Sequence, residues 1–380
     1  MWQRLIARLS PSTPLITVGI SKDALLHNLR AYQGAYPDVA IAPVLKSNAY
    51  GHDLGLVARV LDREHIAFFM VDSLYEARRL RSSGVGSRIV VMGYARPEDI
   101  VSSTLSHTDY ALTDIEQLRQ VVERARSSVR VHLKIDTGMH RQGLLPEQLA
   151  EALDLLARNA SIEVVGVCSH FADADQDHSP HTKEQLSRWL SALSKIEAVY
   201  PALEYRHLGA TKGIRFAHEA RTNVARLGIG LYGFDTSPGH NTPLQPVLEL
   251  RSIIGELRSI PAGESVGYNA THITAATTLV ATVPVGYFEG VDRRLSNKGV
   301  VQVRGVDCPI IGRVSMNMTT VDVSAVDGVS VGDSVTLISR LPSEQNSVPG
   351  IARTIGGDSY KESEYVVLVH IPQHLKRVLE

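Results

Sequence analysis

Val44-Leu45-Lys46-Ser47-Asn48-Ala49-Tyr50-Gly51-His52 is the stretch that decides the fold. The run from Val39 to Leu45 carries no charge and stops abruptly at a lysine, the pattern of a buried strand. Small and polar residues, a glycine and an amphipathic segment from about Leu54 follow, so the stretch reads strand, loop, helix. A lysine at the carboxyl end of a buried strand sits where barrel enzymes keep their reactive groups. Most lysines simply reach solvent, so the rest of the chain must decide whether Lys46 is chemical.

Working outward, short β-type runs alternate with helical ones. Ser21–Tyr36 precedes the first strand as a helix, with Leu25, Leu26, Leu29 and Tyr32 at helical spacing. The strand runs are Ala40–Leu45, Ile66–Val71, Arg88–Met92, Tyr110–Leu112, Val129–Ile135, Ile162–Cys168, Glu204–Leu208 and Asn223–Leu227. Eight such runs with helical spacers predict a parallel sheet closed into a (β/α)8 barrel. The rival, an open doubly wound sheet, lacks a Gly-x-Gly-x-x-Gly after the first strand. Thr236–Pro243 is loop chemistry and marks a boundary. Residues 1–240 are therefore expected to form the barrel and 241–380 a smaller, mostly β domain. Its expected strands are Val247–Ile254, Thr278–Pro284, Gly299–Val303, Cys308–Ile311, Thr319–Val323, Ser334–Ile338 and Tyr365–Val369.

Composition narrows the function classes. Among 380 residues, 39 basic side chains face 40 acidic ones, which gives no electrostatic footprint for nucleic acid or an anionic membrane. Cys168 and Cys308 lie far apart, against a disulfide framework or a cysteine metal site and in favour of a reducing compartment. The opening Met1–Ser10 has arginines inside its apolar stretch and no signal-type core, and no run is long enough to span a membrane. A cytoplasmic protein is expected.

The residues after each barrel strand line the rim where such folds do chemistry. Lys46 and Tyr50 follow the first. Lys134-Ile-Asp-Thr-Gly-Met-His-Arg141 spans the end of the fifth, Ser169-His170-Phe171 follows the sixth and Gly209-Ala210-Thr211 the seventh. The eighth ends in Arg226-Leu227-Gly228-Ile229-Gly230. This set suits an aldehyde cofactor bearing a phosphate. A lysine amine forms a Schiff base. Backbone N–H groups around Gly228 and Ile229, with the hydroxyls of Thr211 and Tyr50, can cradle a phosphate. An arginine can hydrogen-bond a pyridine nitrogen.

Taken together, these motifs resemble the alanine racemase family, barrel-type enzymes that use pyridoxal 5'-phosphate. The resemblance runs almost end to end. Val-Leu-Lys-Ser-Asn-Ala-Tyr-Gly-His resembles the family's cofactor-lysine signature. Lys134–Arg141, Ser-His-Phe-Ala, Arg-Leu-Gly-Ile-Gly-Leu-Tyr-Gly, Ser-Val-Gly-Tyr268 and Gly-Arg-Val-Ser-Met316 resemble its other landmarks. The resemblance implies interconversion of L- and D-alanine by two bases. Lys46 would hold the cofactor and act on one face; Tyr268, from the second domain, would act on the other. It further implies that Arg226 donates to the pyridine nitrogen, and that Tyr50, His170, Thr211, Gly228 and Ile229 line the cofactor. Arg141 and the backbone of Met316 would meet the substrate carboxylate, with Lys134, carbamylated in some relatives, beneath Arg141. Tyr287 would stand at the entrance and a tail tyrosine, Tyr365 or Tyr360, at the phosphate. In the family the tyrosine and methionine reach across from a second subunit, so a homodimer with shared sites is implied. A tyrosine is a poor base near its ordinary pKa of about 10, so nearby positive charge has to stabilise its phenolate.

Each residue also has a plainer reading: Tyr268 as a packing residue, Arg226 as half of an ion pair, Thr211 as a helix cap, His170 as a core histidine, Lys134 as a salt-bridge partner. Their joint placement on one rim favours the functional reading. The loop His170–His181 holds three histidines and three aspartates, but their spacing matches no tight metal-ligand pattern, and no metal is expected. Asn317 stands where many relatives have aspartate, Ser315 where several have cysteine, and Phe288-Glu289-Gly290 departs after Tyr287. These changes touch the substrate pocket, which keeps a serine or broad-specificity racemase as the alternative. A non-catalytic carrier of the same cofactor and a metal-dependent barrel hydrolase using Lys134 are the more distant ones.

Overall fold

The computed structural model describes residues 14–176, 179–235, 243–356 and 360–380, the side chains of 360–363 excepted. The chain divides into two units, Lys22–Gln245 and a second made of the segment ending at Ser21 together with Pro246–Glu380.

After a first strand, β1 (Thr17–Ile20), helix α1 (Lys22–Ala35) opens the larger unit. Its strands are β2 (Ala40–Pro43), β3 (Phe69–Val71), β4 (Ile89–Val91), β5 (Thr108–Leu112), β6 (Val129–Lys134), β7 (Ile162–Cys168), β8 (Tyr205–His207) and β9 (Val224–Leu227). They match the eight expected runs. β3 to β8 form a parallel sheet in sequence order, and β2 pairs with β9 in parallel. Parallel bridges Val44–Met70 and Ala210–Arg226 join the two sheets, closing the barrel. β2, β3 and β4 are apolar and almost wholly buried, as parallel strands covered on both faces require, while β5, β6 and β8 carry the inward polar residues Asp109, His132, Lys134 and His207. The intervening helices α2 (Leu54–Leu61), α3 (Leu74–Ser82), α4 (Pro97–Val101), α5 (Ile115–Arg124), α6 (Leu149–Leu156) and α7 (Pro180–Val199) complete the alternation. Several start on side-chain caps: Asp53 accepts from Leu56 N, Ser73 from Glu76 N and Asp114 from Gln117 N.

In the second unit one sheet contains β10 (Leu248–Ile253), β15 (Val300–Val303), β16 (Val306–Pro309), β18 (Ser334–Ile338) and β19 (Lys376–Leu379); another contains β11 (Glu256–Ile260), β14 (Thr278–Val283) and β17 (Thr319–Asp322). A short ribbon pairs β12 (Ser265–Val266) with β13 (His272–Ile273). β1 lies between β10 and β19 in this unit's sheet, so the strand before Lys22 is not part of the barrel, in contrast to the expected 1–240 division. Local sequence gives no hint of this, because the pairing partners are more than 200 residues away. The stretch Thr236–Pro243 lies largely outside the described residues.

One expectation is corrected. Tyr365–Val369 is helical, within α9 (Tyr360–Val369), which follows α8 (Val348–Gly356). The run looks like a strand because its outward positions Val366 and Val369 are also apolar. Burial falls on Glu364, Val367, Leu368 and Ile371, which is the spacing of a helix face.

Candidate active site

The Lys46 motif leaves the barrel through a left-handed turn. Ser47, Asn48, Ala49 and Tyr50 have φ of 56°, 56°, 54° and 52°, and Gly51 follows at 87°. Left-handed backbone costs a non-glycine residue roughly 1–2 kcal/mol, so four in succession are held by their surroundings. Asn48, Ala49 and Tyr50 are buried, Asn48 Oδ1 accepts from Leu54 N (3.1 Å), and Glu76 accepts from Ser47 N (2.7 Å). The turn thus locks β2 to α2 and α3 while Lys46 itself stays exposed at the barrel mouth.

Beside β2, its hydrogen-bonded neighbour β9 ends in an anion cradle. Thr211 Oγ1 accepts from Gly228 N (3.1 Å) and Gly230 N (3.2 Å), which leaves its proton free to donate outward. The N–H of Ile229, between them, has no partner among the described residues. Gly228 contributes space rather than its N–H: a Cβ there would lie 2.9 Å from the Tyr50 hydroxyl oxygen. Tyr50 is packed on Tyr232, ring centroids 5.0 Å apart.

Arg226 is buried at the centre of the mouth. Nη2 donates to Ser169 O (2.7 Å), Leu208 O (2.7 Å) and His170 Nδ1 (2.8 Å); Nη1 donates to His207 O (3.1 Å) and His207 Nδ1 (3.2 Å). Nε makes no hydrogen bond within the described chain. Burial, reinforced by Arg141, lowers its pKa to about 10. No carboxylate among the described residues pairs with it. Burial and then Arg226, Arg141, Lys134 and Lys46 push His170 well below its usual value, so its imidazole is neutral with its proton on Nε2. Lys134 is buried, donates to Gln142 Oε1 (3.0 Å), and has its pKa lowered by burial and by Arg226 and Arg141. Exposed Arg141 has no ion-pair partner among the described residues. Gln185 of α7 fixes this side of the rim, donating to Thr137 Oγ1 (3.3 Å) and His170 O (3.0 Å) and accepting from Ala172 N (2.8 Å).

A buried chain continues from Arg226 down the barrel axis. Because arginine only donates, His207 Nδ1 is an acceptor and its proton sits on Nε2, which reaches His132 Nδ1 at 2.8 Å. The remaining N–H of His132 faces Asp109 Oδ2 at 3.5 Å. Burial lowers the pKa of both imidazoles, so both are neutral. Burial alone would raise the pKa of Asp109, but His132, Arg88 and Arg130 pull it below its ordinary value. Gly166 makes room for His132, since a Cβ there would collide with the ring. Sequence reading missed Asp109, His132 and His207. The one available signal is that His132 is two residues before Lys134 and so shares its inward strand face.

Within the second unit, the motifs of Tyr268 and Met316 approach each other at Gly267 and Arg313. Tyr268 follows Gly267 (φ 76°), and a Cβ there would lie 3.3 Å from Arg313 N. Tyr268 is 64% exposed and Met316 54%. The Met316 N–H has no partner among the described residues. Tyr365 is half-buried on α9, and the Tyr360 side chain lies outside the described residues. In the His170–His181 loop, Asp177 and His178 also lie outside them; Asp173 accepts from Ser179 Oγ (2.7 Å) and Asp175 pairs with Lys212 (3.3 Å).

Residues 20–236 match the family model for the alanine racemase N-terminal domain, and residues 247–379 that for its C-terminal domain. The chain is 32% identical over 371 residues to an alanine racemase of Carboxydothermus hydrogenoformans, covering 94% of this chain and 98% of that one. It is 35% identical over 350 residues to one of Syntrophobacter fumaroxidans, covering 90% and 93%. Among solved structures, alanine racemase of Clostridium difficile 630 superposes with TM-score 0.88 at 27% identity, covering 97% and 96%. That of Bacillus anthracis, solved with bound L-Ala-P, gives 0.87 at 28%, covering 98% and 96%. A closed parallel barrel with a β-rich second unit and this mouth defines an isomerase of the amino-acid racemase class. The chain belongs to the alanine racemase family.

Proposed function

We propose that the protein interconverts L- and D-alanine with pyridoxal 5'-phosphate, working as a cytoplasmic homodimer whose sites combine residues of both copies. The observation that carries this reading is the barrel mouth, where Lys46, Arg141, Lys134 and Arg226 converge and none of them makes an ion pair with a carboxylate among the described residues, beside the unused Ile229 N–H. Such a site is built for an anion. The donor set fits the cofactor: an amine for its aldehyde, the Thr211 hydroxyl and Ile229 N–H for its phosphate, and Arg226 Nε for its ring nitrogen. Tyr50 and Gly228 would shape the phosphate end, and a tail tyrosine, Tyr365 or Tyr360, would contact it.

When bound, the cofactor supplies the electron sink that acidifies the substrate's α C–H. Lys46 holds it and removes or returns the α-proton on one face. Tyr268 of the second copy does the same on the opposite face, which inverts the centre. The His170 Nε2 proton would be available to the phenolic oxygen of that tyrosine, because Nδ1 already accepts from Arg226. This donor, with Arg141 beside it, lowers the cost of a phenolate. Arg141 and the Met316 N–H bind the substrate carboxylate. Two features support sharing between copies: Tyr268 and Met316 are exposed in the described chain, and so are neighbouring Tyr287, Phe288 and Met318. Both cysteines are buried free thiols, consistent with a reducing compartment.

The test is to incubate the purified protein with L-alanine and pyridoxal 5'-phosphate. D-alanine should accumulate to a near-racemic mixture, and a visible chromophore should bleach with borohydride. No D-alanine would refute the reading. Asn317 and Glu289 beside Met316 keep serine as the second substrate to try.

A further inference from the structure

Beside Met316, a carboxylate is buried without a cation. Glu289 is only 7% exposed. Its Oε2 accepts from Gly286 N (2.8 Å) and its Oε1 from Asn317 Nδ2 (2.7 Å). Among the described residues it has no ion-pair partner. The two loops it joins also bind through their backbones: Tyr287 N donates to Ser315 O (3.0 Å) and Phe288 N to Met316 O (2.9 Å). They approach so closely that a Cβ on Gly286 would collide with Ser315 O and Met316 O. Thr319 Oγ1 closes the far side on Val285 O (2.7 Å).

We infer that Glu289 and Asn317 form a clamp that fixes the Met316 backbone for a substrate carboxylate and ties it to Tyr287, and that the carboxylate at 289 requires an amide at 317. The inference rests on the racemase reading for the role of Met316, but the clamp itself rests on geometry. The logic is donor against acceptor. Both Glu289 oxygens accept, so residue 317 has to donate. Asn317 is itself exposed, but an aspartate there would set a second carboxylate against the buried Glu289, and the two could stay in contact only by sharing one proton. Above the raised pKa of that pair they repel, the loops part, and the Met316 N–H leaves its position. A glutamine at 289 reverses the polarity at no cost in hydrogen bonds: its Oε1 still accepts from Gly286 N, and its Nε2 donates to an aspartate at 317. Glu289 and Asn317 are thus positioning residues, since they act on the carboxylate site through the Met316 backbone.

The experiment compares the parent with N317D, E289Q and the double variant N317D/E289Q. N317D should raise the KM for alanine about 10-fold near pH 8.5 and only about twofold near pH 6, with kcat little changed. E289Q should cause a small rise independent of pH, because Asn317 can flip to accept. The double variant should return KM to within about twofold of the parent at both pH values. N317D tracking the parent at both pH values, as an exposed side chain with no role would, overturns the clamp, and so does a double variant no better than N317D. Thermal unfolding supplies the second readout: the Tm of N317D should fall relative to the parent as pH rises, and the double variant should recover it. If the parent itself does not racemise alanine, the racemase reading fails, and the Tm curves alone decide the clamp. N317D failing to fold while the double variant folds supports it; both failing to fold overturns it.

Discussion

The two ends of the barrel treat the same residue type in opposite ways. At the amino-terminal ends of the strands, Asp109 accepts from Arg88 (2.6 Å) and Arg130 (3.1 Å), and Arg130 also reaches Glu204 (2.8 Å) and Glu163 (3.4 Å). At the mouth, Arg226 is held by carbonyls and neutral imidazoles, Arg141 stands alone, and Lys134 meets an amide. The first arrangement is closed: every charge has its counter-charge, and Arg130 is held more firmly protonated than an ordinary arginine. The second is open, with positive charge assembled at a cost in desolvation and left for something negative to complete. What separates a structural ion cluster from a binding site here is that the mouth cations make no ion pair with a carboxylate among the described residues. The His207–His132 chain of neutral imidazoles links Arg226 to Asp109, while the charge of Asp109 is met by Arg88 and Arg130.

The comparison can be broken most severely at the mouth. Lys46→Ala should abolish the borohydride-sensitive chromophore and cut racemisation by about 10⁴-fold while leaving the far-UV CD spectrum intact. Next, Asp109→Asn strikes the closed end. It should destabilise the fold by about 3 kcal/mol in urea titrations near pH 7, because Arg88 and Arg130 lose a buried partner. The pH sign follows from the depressed pKa of Asp109: its contribution is complete above the unfolded value and is lost as pH falls through the folded one. Parent and variant stabilities should therefore converge below about pH 4. The smallest effect belongs to Arg88→Ala. With Arg130 still on Asp109, it should cost only about 1 kcal/mol, with racemisation nearly unchanged. An Arg88→Ala loss as large as that of Asp109→Asn would mean the far end is not redundantly paired.

The barrel was legible because short β-type runs, several of them wholly apolar, alternate with helical ones, and because the first and the last four end in conspicuous polar motifs such as Lys46 or Arg226. What was illegible depends on distance in the chain. β1 looks like any short apolar run until its partners, more than 200 residues later, claim it for the other unit. Tyr365–Val369 misleads because apolar residues occupy the outward face of its helix as well as the inward one. The left-handed turn after Lys46 is foreshadowed only by Asn48 and Gly51, the residue types that tolerate it best. His132 and His207 carry no motif, and only closure of the barrel brings them onto one line.

Shared sites can be tested by mixing two dead variants, Lys46→Ala and Tyr268→Phe, after dissociating and reassociating the subunits. Each hybrid dimer would combine an intact Lys46 barrel with an intact Tyr268 from the other copy at one of its two sites. Activity should then recover to about a quarter of the parent value for random pairing. A mixture no more active than either variant alone would contradict the account.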